Sequence, residues 1–160
     1  GQVEILGQTR SSERDFWEVR ERVGLLFQDP DDQLFCPTVQ EDIAFGPLNQ
    51  GKNREQTERA VRNALSLVGM EGYEDRITHH LSGGEKRLVS LATVLAMEPD
   101  VLLLDEPENG LDPVSHERIR SLLLSLPQAM IVVSHNVEFL ASVTTRCLRV
   151  EDGKLKEIVV

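Results

Sequence analysis

The stretch LSGGEKRLVSLATVLAMEPDVLLLDEPENGLDP, residues 81–113, decides the predicted fold. It opens with Ser-Gly-Gly at an apparent helix start and continues with apolar residues at helical spacing until Pro99. The run VLLLD (101–105) follows as a continuous apolar segment, which is typical of a strand covered on both faces of a sheet. That strand ends on Asp105 and Glu106, so the stretch predicts a glycine-rich helix start and two carboxylates near one sheet edge.

Strands and helices alternate through the rest of the chain, which predicts an α/β fold over residues 1–160. The predicted strands are QVEIL (2–6), RVGLLF (22–27) and AMIVVS (129–134), and the predicted helices are 53–68, 82–98, 113–125 and 136–143. A hairpin that turns at Asp152-Gly153 ends the chain. Residues 36–81 are helical and lie between the sheet-forming parts 1–35 and 82–160, so we expect a core with an inserted helical subdomain.

Composition narrows the classes of protein. A net charge of −10 argues against a chain that itself grips a nucleic-acid backbone, and an acidic surface is ordinarily just solvated. Cys36 and Cys147 lack metal-ligand spacing and fit structural roles in a reducing compartment. Because we find no bilayer-length apolar run and no signal-peptide pattern, we expect a soluble chain of the cytosol.

The helix start at Ser82 has two interpretations. Ser82 is a good N-cap, and Gly83 and Gly84 leave backbone N–H groups open at the positive end of the helix dipole, which suits a phosphate. Alternatively, Ser82 and Glu85 form a capping box that satisfies the same N–H groups internally. The residues alone leave both open.

Three predicted strands end on polar groups. Asp105 suits Mg²⁺, a hard cation that takes oxygen ligands, and Glu106 suits the orientation or deprotonation of an attacking water. His135 follows the strand AMIVVS, and Gln28 follows VGLLF. Either acid could instead be solvated, and His135 alone could be structural. The convergence of three strands at one edge nevertheless favours a site for one polyphosphate and one metal.

These motifs resemble the nucleotide-binding domain of ABC ATPases, in the family's order and over nearly the whole chain. Gln28 is similar to the Q-loop glutamine, LSGGE (81–85) to the signature motif, VLLLDE (101–106) to Walker B, NGLD (109–112) to the D-loop, and His135 to the H-switch. The resemblance implies a P-loop NTPase-like (RecA-like) core with a mainly parallel sheet, and ATP and Mg²⁺ as cofactors. It implies catalytic roles for Glu106, His135 and Gln28, nucleotide contacts by Ser82, Gly83, Gly84, Glu85 and Asp112, and metal contacts by Asp105 and Gln28.

The resemblance also implies partners. Two such domains, identical or different, pair head to tail, and each nucleotide lies between the P-loop of one and the signature helix of the other. Residues 23–51 resemble the Q-loop region of importer ATPases for cobalt, nickel and vitamins of the energy-coupling-factor type. This implies an ATP-hydrolysing subunit that energises an importer, cytoplasmic and peripheral on the inner face of the membrane. A permease would dock near Asp29–Gly46, with Leu34, Phe35 and Phe45 as contacts, unless those side chains fill the core.

Some positions depart from the family pattern. Glu85 stands where Gln is commonest, Leu88 where Arg is usual, and Asn136 where Asp usually follows the histidine. Glu108 stands where Thr or Ser is usual; it would add negative charge near the site, although we expect its side chain to be solvated.

No G-x-x-x-x-G-K-[ST] occurs in the 160 residues, and GQVEILG (1–7) resembles the segment just after the P-loop and its helix. We therefore expect an N-terminally incomplete domain that by itself neither binds ATP tightly nor hydrolyses it.

Two other functions stay open. A non-transport ABC ATPase of the DNA-repair kind would carry a coiled coil or a zinc module between the Q-loop and the signature. Only about fifty residues separate Gln28 from Leu81, without heptads or a CxxC pair, which disfavours it. The other is a non-enzymatic interaction module built on a decayed ATPase.

Overall fold

The computed structural model describes residues 1–158 and has the predicted α/β architecture. Its strands are β1 Val3–Ile5, β2 Gln8–Arg10, β3 Val23–Leu26, β4 Val101–Asp105, β5 Ala129–Val133, β6 Cys147–Glu151 and β7 Lys154–Ile158. Its helices are α1 Asp15–Arg22, α2 Val39–Asn49, α3 Arg54–Leu67, α4 Gly83–Leu95, α5 Pro113–Ser125 and α6 Val137–Val143, with short 3₁₀ turns at Pro30–Asp32 and Thr78–His80. The predicted strands and helices are all present, whereas β2 and α1 were not predicted from the sequence.

The central sheet has the order β3-β4-β5, and all three strands are parallel. Leu26 pairs with Leu104 and Asp105 pairs with Val133, so the carboxyl ends of the strands meet at one edge. Ligands of open α/β sheets bind outside this edge. The topology therefore brings the residues that follow the three strands to the same side of the molecule.

One face of this sheet forms the main core. Leu102 and Leu104 of β4 are fully buried with the apolar side of α4. Gly24 lets α4 approach β3 closely, because a Cβ there would collide with the side chain of Val94. On the opposite face, Ile131 and Val133 are 60% and 56% exposed. In β4 itself, Val101 and Leu103 on that face are half-buried, so among residues 1–158 the strand predicted to be covered on both faces is fully covered on one face and partly covered on the other.

The helical stretch between the sheet-forming parts is built on capped helix starts. Thr38 and Asn53 each form a capping box with the residue three positions on, and these boxes begin α2 and α3. Buried Asp42 accepts hydrogen bonds from the N–H groups of Phe35 and Cys36 at 3.0 and 2.9 Å. The division of the chain into a core and a helical subdomain stays a prediction.

Two antiparallel hairpins complete the fold. β1 pairs with β2, and β6 pairs with β7 through a turn in which Asp152 and Gly153 have φ values of 50° and 72°. Positive φ at both positions is what a two-residue type I′ turn requires, which confirms the predicted hairpin. Within residues 1–158, none of the helices is both long and apolar enough to span a bilayer.

Candidate functional site

Glu106 occupies a strained position directly after β4. Its φ of +46° is unusual for a residue other than glycine, and its N–H donates to the carbonyl of Val133 at 2.8 Å. The side chain is buried, and Oε1 accepts a hydrogen bond from the N–H of His135 at 3.0 Å. His135 Nε2 lies 3.5 Å from the same oxygen, although the imidazole is otherwise exposed. The structure thus brings Glu106 and His135 together at the sheet edge.

Asp105 and Gln28 lie at the same edge, and within residues 1–158 their side chains form no hydrogen bonds. Asp105 ends β4 in a partly buried position, and Gln28, two residues beyond β3, is exposed. At this edge the carboxylates of Glu106 and Glu108 accept hydrogen bonds, and within residues 1–158 none goes to the side chain of Asp105. Its carboxylate is free to take a cation.

Magnesium fits this arrangement with few protein ligands. No group of three His, Cys, Asp or Glu among the described residues is arranged to hold a metal. Mg²⁺ commonly takes only one or two carboxylates and completes its shell with waters and substrate phosphates. Asp105 would therefore hold the ion only together with a bound polyphosphate.

Glu108 is buried at this edge, and the expectation of a solvated side chain is wrong. It is 7% exposed, and its Oε1 accepts a hydrogen bond from Ser134 Oγ, which in turn accepts from the N–H of Asn136 at 2.8 Å. Its Oε2 is buried without a partner within residues 1–158. This burial could not be predicted from the sequence, because the partner serine follows a different strand.

The start of α4 adopts the capping-box geometry. Ser82 Oγ accepts from the N–H of Glu85 at 3.3 Å, and Glu85 Oε2 accepts from the N–H of Ser82 at 2.8 Å. Tyr73 donates its hydroxyl hydrogen to Glu85 Oε1 at 2.8 Å. The hydrogen bond from the Ser82 N–H, followed by that from Tyr73, holds the pKa of Glu85 below its usual range. Ser82 and Glu85 are thus engaged within the chain, while the backbone of Gly83 stays exposed.

Gly84, at this helix start, lies close to the segment that resembles the D-loop. A Cβ at Gly84 would lie 3.0 Å from Ser115 Oγ and 3.6 Å from Asp112 Oδ2. Asp112 caps α5 by accepting from the N–H groups of Val114 and Ser115 at 2.9 and 3.1 Å. The hydroxyl of Ser115 also donates to Asp112, and these bonds lower the pKa of Asp112. Asp112 therefore lies beside the glycines of α4, with its carboxylate already bonded.

Arg87 is the residue of this region that the sequence reasoning missed. It is 2% exposed, and its guanidinium donates to the carbonyl of Phe27 at 2.6 Å and to that of Gln28. Burial lowers its pKa, whereas the charges of Asp29, Glu108, Asp105 and Glu106 raise it, in that order. A signal existed, because Arg87 precedes Leu91 by four residues and so falls on the apolar side of the predicted helix.

Comparisons with known proteins identify the family. Residues 1–109 match the family model described as "ABC transporter". The chain belongs to the ABC transporter family. It is 46% identical over 159 residues to the energy-coupling factor transporter ATP-binding protein EcfA of Methanocaldococcus jannaschii, covering 97% of this chain and 57% of that protein. It spans between 49% and 65% of the length of the curated relatives it matches.

Two solved structures share the architecture. One is cbiO1 from Clostridium perfringens, part of the ABC transporter complex cbiONQ, with a TM-score of 0.86, 34% identity, and coverage of 96% of this chain and 63% of that one. The other is a dimeric ATP-binding cassette bound to ADP and Pi, with a TM-score of 0.86, 23% identity, and coverage of 99% of this chain and 72% of that one. The second supports the fold alone. Both agree with the P-loop NTPase fold that the motifs imply.

Proposed function

We propose that these residues belong to an ATP-hydrolysing subunit that energises an ABC-type importer. One observation carries the proposal: the buried carboxylate of Glu106 is held by the N–H of His135 at the carboxyl edge of the sheet, directly after Asp105. The family match adds ATP as the ligand class. The activity is a property of the whole protein, because the chain spans under two thirds of its curated relatives.

Each residue at the edge has a proposed role. Glu106 accepts a proton from, or orients, the water that attacks the terminal phosphate. His135 and Gln28 hold that water and the phosphate in line. Asp105, with Gln28, binds Mg²⁺, which when present neutralises charge on the transferring phosphoryl group.

The helix start serves a second copy. Ser82, Gly83, Gly84, Glu85 and Asp112 are proposed to contact the nucleotide held mainly by a partner ATPase subunit. Exposed N–H groups at the positive end of α4 support this, because they suit a phosphate supplied from outside the chain. The solved cassette that shares the fold is dimeric and bound to ADP and Pi.

Turnover of the whole protein tests the role of Glu106. In Glu106→Gln the amide oxygen still accepts from the N–H of His135, but the negative charge that activates water is lost. We expect kcat for ATP to fall by about 100-fold or more while ATP binding persists. Glu138→Gln, an exposed acid on α6, is the matched control and keeps full turnover. Near wild-type hydrolysis by Glu106→Gln would remove the proposed role.

A permease is proposed to dock at Asp29–Gly46. Phe35 and Phe45 are 62% and 48% exposed and pack edge to face with centroids 4.9 Å apart, which leaves an aromatic surface for an apolar helix. Leu34 is 3% exposed and belongs to the core, so the structure removes it from the predicted contacts. This surface would hold the protein on the inner face of the membrane.

Charged substitutions test the docking surface. We expect Phe35→Asp and Phe45→Asp to abolish co-purification with the permease and to uncouple transport from hydrolysis, without unfolding the subunit. Leu67→Asp is the control, because Leu67 is similarly exposed on α3 and lies outside the segment. Normal transport by both phenylalanine variants would place the docking surface elsewhere.

We propose a metal ion such as cobalt or nickel, or a vitamin, as the transported substrate. The proposal rests on the relatives, one an energy-coupling factor ATP-binding protein and the other part of cbiONQ. The test is the uptake of labelled cobalt, nickel and vitamins, compared between cells that carry the wild-type protein and cells that carry Glu106→Gln. Unchanged uptake of all three classes would contradict it.

A further inference from the structure

Three side chains tie α4 to the loop that follows β3. Arg87 donates to the carbonyls of Phe27 and Gln28. Gln33 accepts from the N–H of Phe27 at 3.1 Å and donates to the carbonyl of Ser90 and to Thr93 Oγ1, both at 2.8 Å. Lys86 forms an exposed ion pair with Asp31 at 2.6 Å. The loop that carries Gln28 is therefore fixed to the helix that starts at the signature-like glycines.

Arg87 differs from the other two ties in its burial. Lys86 pairs with an exposed acid, whereas the guanidinium of Arg87 is almost fully removed from water and donates to two consecutive main-chain carbonyls. A planar fork of donors suits two adjacent acceptors, and an ammonium group does not reproduce it. Its Nε is buried without a partner within residues 1–158.

We propose that Arg87 is a positioning residue which couples the nucleotide-contacting start of α4 to the Gln28 loop, and that buried Glu108 balances its charge. The coupling role rests on the proposed function, in which Gln28 and the start of α4 serve two different nucleotides. A rigid link between them transmits the arrival of a nucleotide at one to the geometry of the other. Arg87 acts through the main chain of residues 27 and 28 and touches no reacting atom.

Glu108 fits the balancing role for two reasons. It is one of the few buried acids of the described residues, and one of its oxygens lacks a hydrogen-bond partner there. Its other oxygen is fixed by Ser134, so the carboxylate cannot turn towards solvent without breaking that bond. A buried cation without a nearby anion is costly, and so is the reverse. Burial lowers the pKa of Arg87, and the charge of Asp29, followed by that of Glu108, opposes this effect. Among residues 1–158 no ion pair within 4 Å joins Arg87 to Glu108, so the two charges stabilise each other at longer range.

Hydrogen exchange tests the link independently of ATP hydrolysis. In Arg87→Met we expect the amides of residues 27–33 to exchange about tenfold faster, while those of α3 and β5 keep wild-type rates. Arg87→Lys restores part of the protection, because an ammonium group reaches only one carbonyl well. Arg120→Met, which removes a partly exposed arginine on α5, is the control. Unchanged protection of residues 27–33 in Arg87→Met would overturn the link even if the proposed function held.

Turnover of the whole protein separates positioning from mere structure. We expect Arg87→Met to lower kcat by about 10- to 100-fold with little change in KM for ATP, and Arg87→Lys to recover part of it. If the folded Arg87→Met protein kept wild-type kcat, Arg87 would be only structural. If wild-type protein showed no turnover, the proposed function would fail, and the exchange result would still decide the link.

A double-variant cycle tests the charge balance. Arg87→Met leaves Glu108 as a buried carboxylate without its compensating cation, so adding Glu108→Gln should relieve part of the damage. We therefore expect the double variant to unfold at a higher urea concentration than Arg87→Met alone. Additive losses in the two single variants and the double variant would show that Glu108 does not balance Arg87.

Discussion

Removal of the Asp42 carboxylate is expected to loosen the proposed docking surface and to cost measurable stability. Asp42 is 4% exposed, and its Oδ1 holds the N–H groups of Phe35 and Cys36 at 3.0 and 2.9 Å. Its Oδ2 accepts from Thr78 Oγ1 at 3.0 Å. One side chain therefore joins the start of α2 to residues 35–36 and to the 3₁₀ turn Thr78–His80.

The magnitude follows from these three bonds. A hydrogen bond to a charged group contributes about 1.5–3 kcal/mol, and part of the sum is offset because burying the carboxylate itself costs free energy. We expect Asp42→Ala to lower the free energy of unfolding by about 3–5 kcal/mol. Asp42→Asn should cost less, because its amide oxygen still accepts from both N–H groups and its NH₂ can donate to Thr78.

Urea unfolding followed by circular dichroism measures this loss. With a slope of about 1–3 kcal/mol per molar, the midpoint of Asp42→Ala should fall by at least about 1 M. Asp31→Ala, which removes an exposed acid from the neighbouring turn, should change the free energy by less than about 1 kcal/mol. A midpoint for Asp42→Ala within error of the wild type would refute the reasoning.

Two further predictions concern charge at the site. The hydrogen bonds from Ser82 and Tyr73 lower the folded-state pKa of Glu85, so its stabilisation is complete above its unfolded value of 4.5 and is lost as pH falls through the folded value. Between about pH 5 and pH 3, the free energy of unfolding measured in urea should therefore fall less for Glu85→Gln than for the wild type. An equal fall in the two proteins would contradict this. The 160 residues alone should bind Mg-ATP more weakly than micromolar in a calorimetric titration, because Asp105 and Glu106 face the nucleotide without the lysine and backbone nest of a P-loop motif. Micromolar affinity would refute that expectation.

The order of elements could be predicted well from the sequence, because apolar periodicity and the Pro and Gly residues that end or turn an element act on neighbouring residues. The apolar run 101–105, Pro99 before it and Asp152-Gly153 near the end each specify their own backbone. β2 and α1 escaped prediction because neither carries a clear apolar period. Glu106 and His135 could be placed at one edge because parallel strands share an edge, and the structure adds the hydrogen bond between them.

Side-chain burial at the site could not be predicted, because it depends on contacts between distant segments. Glu108 was expected in solvent, but Ser134 of a neighbouring strand's end holds it inside. Arg87 lies on a side of α4 that periodicity marks as apolar, yet its acceptors are carbonyls about sixty positions earlier in the chain. Leu34 and Phe35 are adjacent in sequence, and only the three-dimensional packing separates the buried residue from the exposed one.

The mass of the Glu106→Gln protein in the presence of Mg-ATP tests the central claim most directly. If Glu106 activates water while the start of α4 contacts a partner's nucleotide, the variant should trap ATP between two copies. Light scattering on the whole protein should then give a dimer with Mg-ATP and a monomer with Mg-ADP, and the wild type should return to monomer as ATP is consumed. A mass for Glu106→Gln that does not depend on the nucleotide would contradict the account.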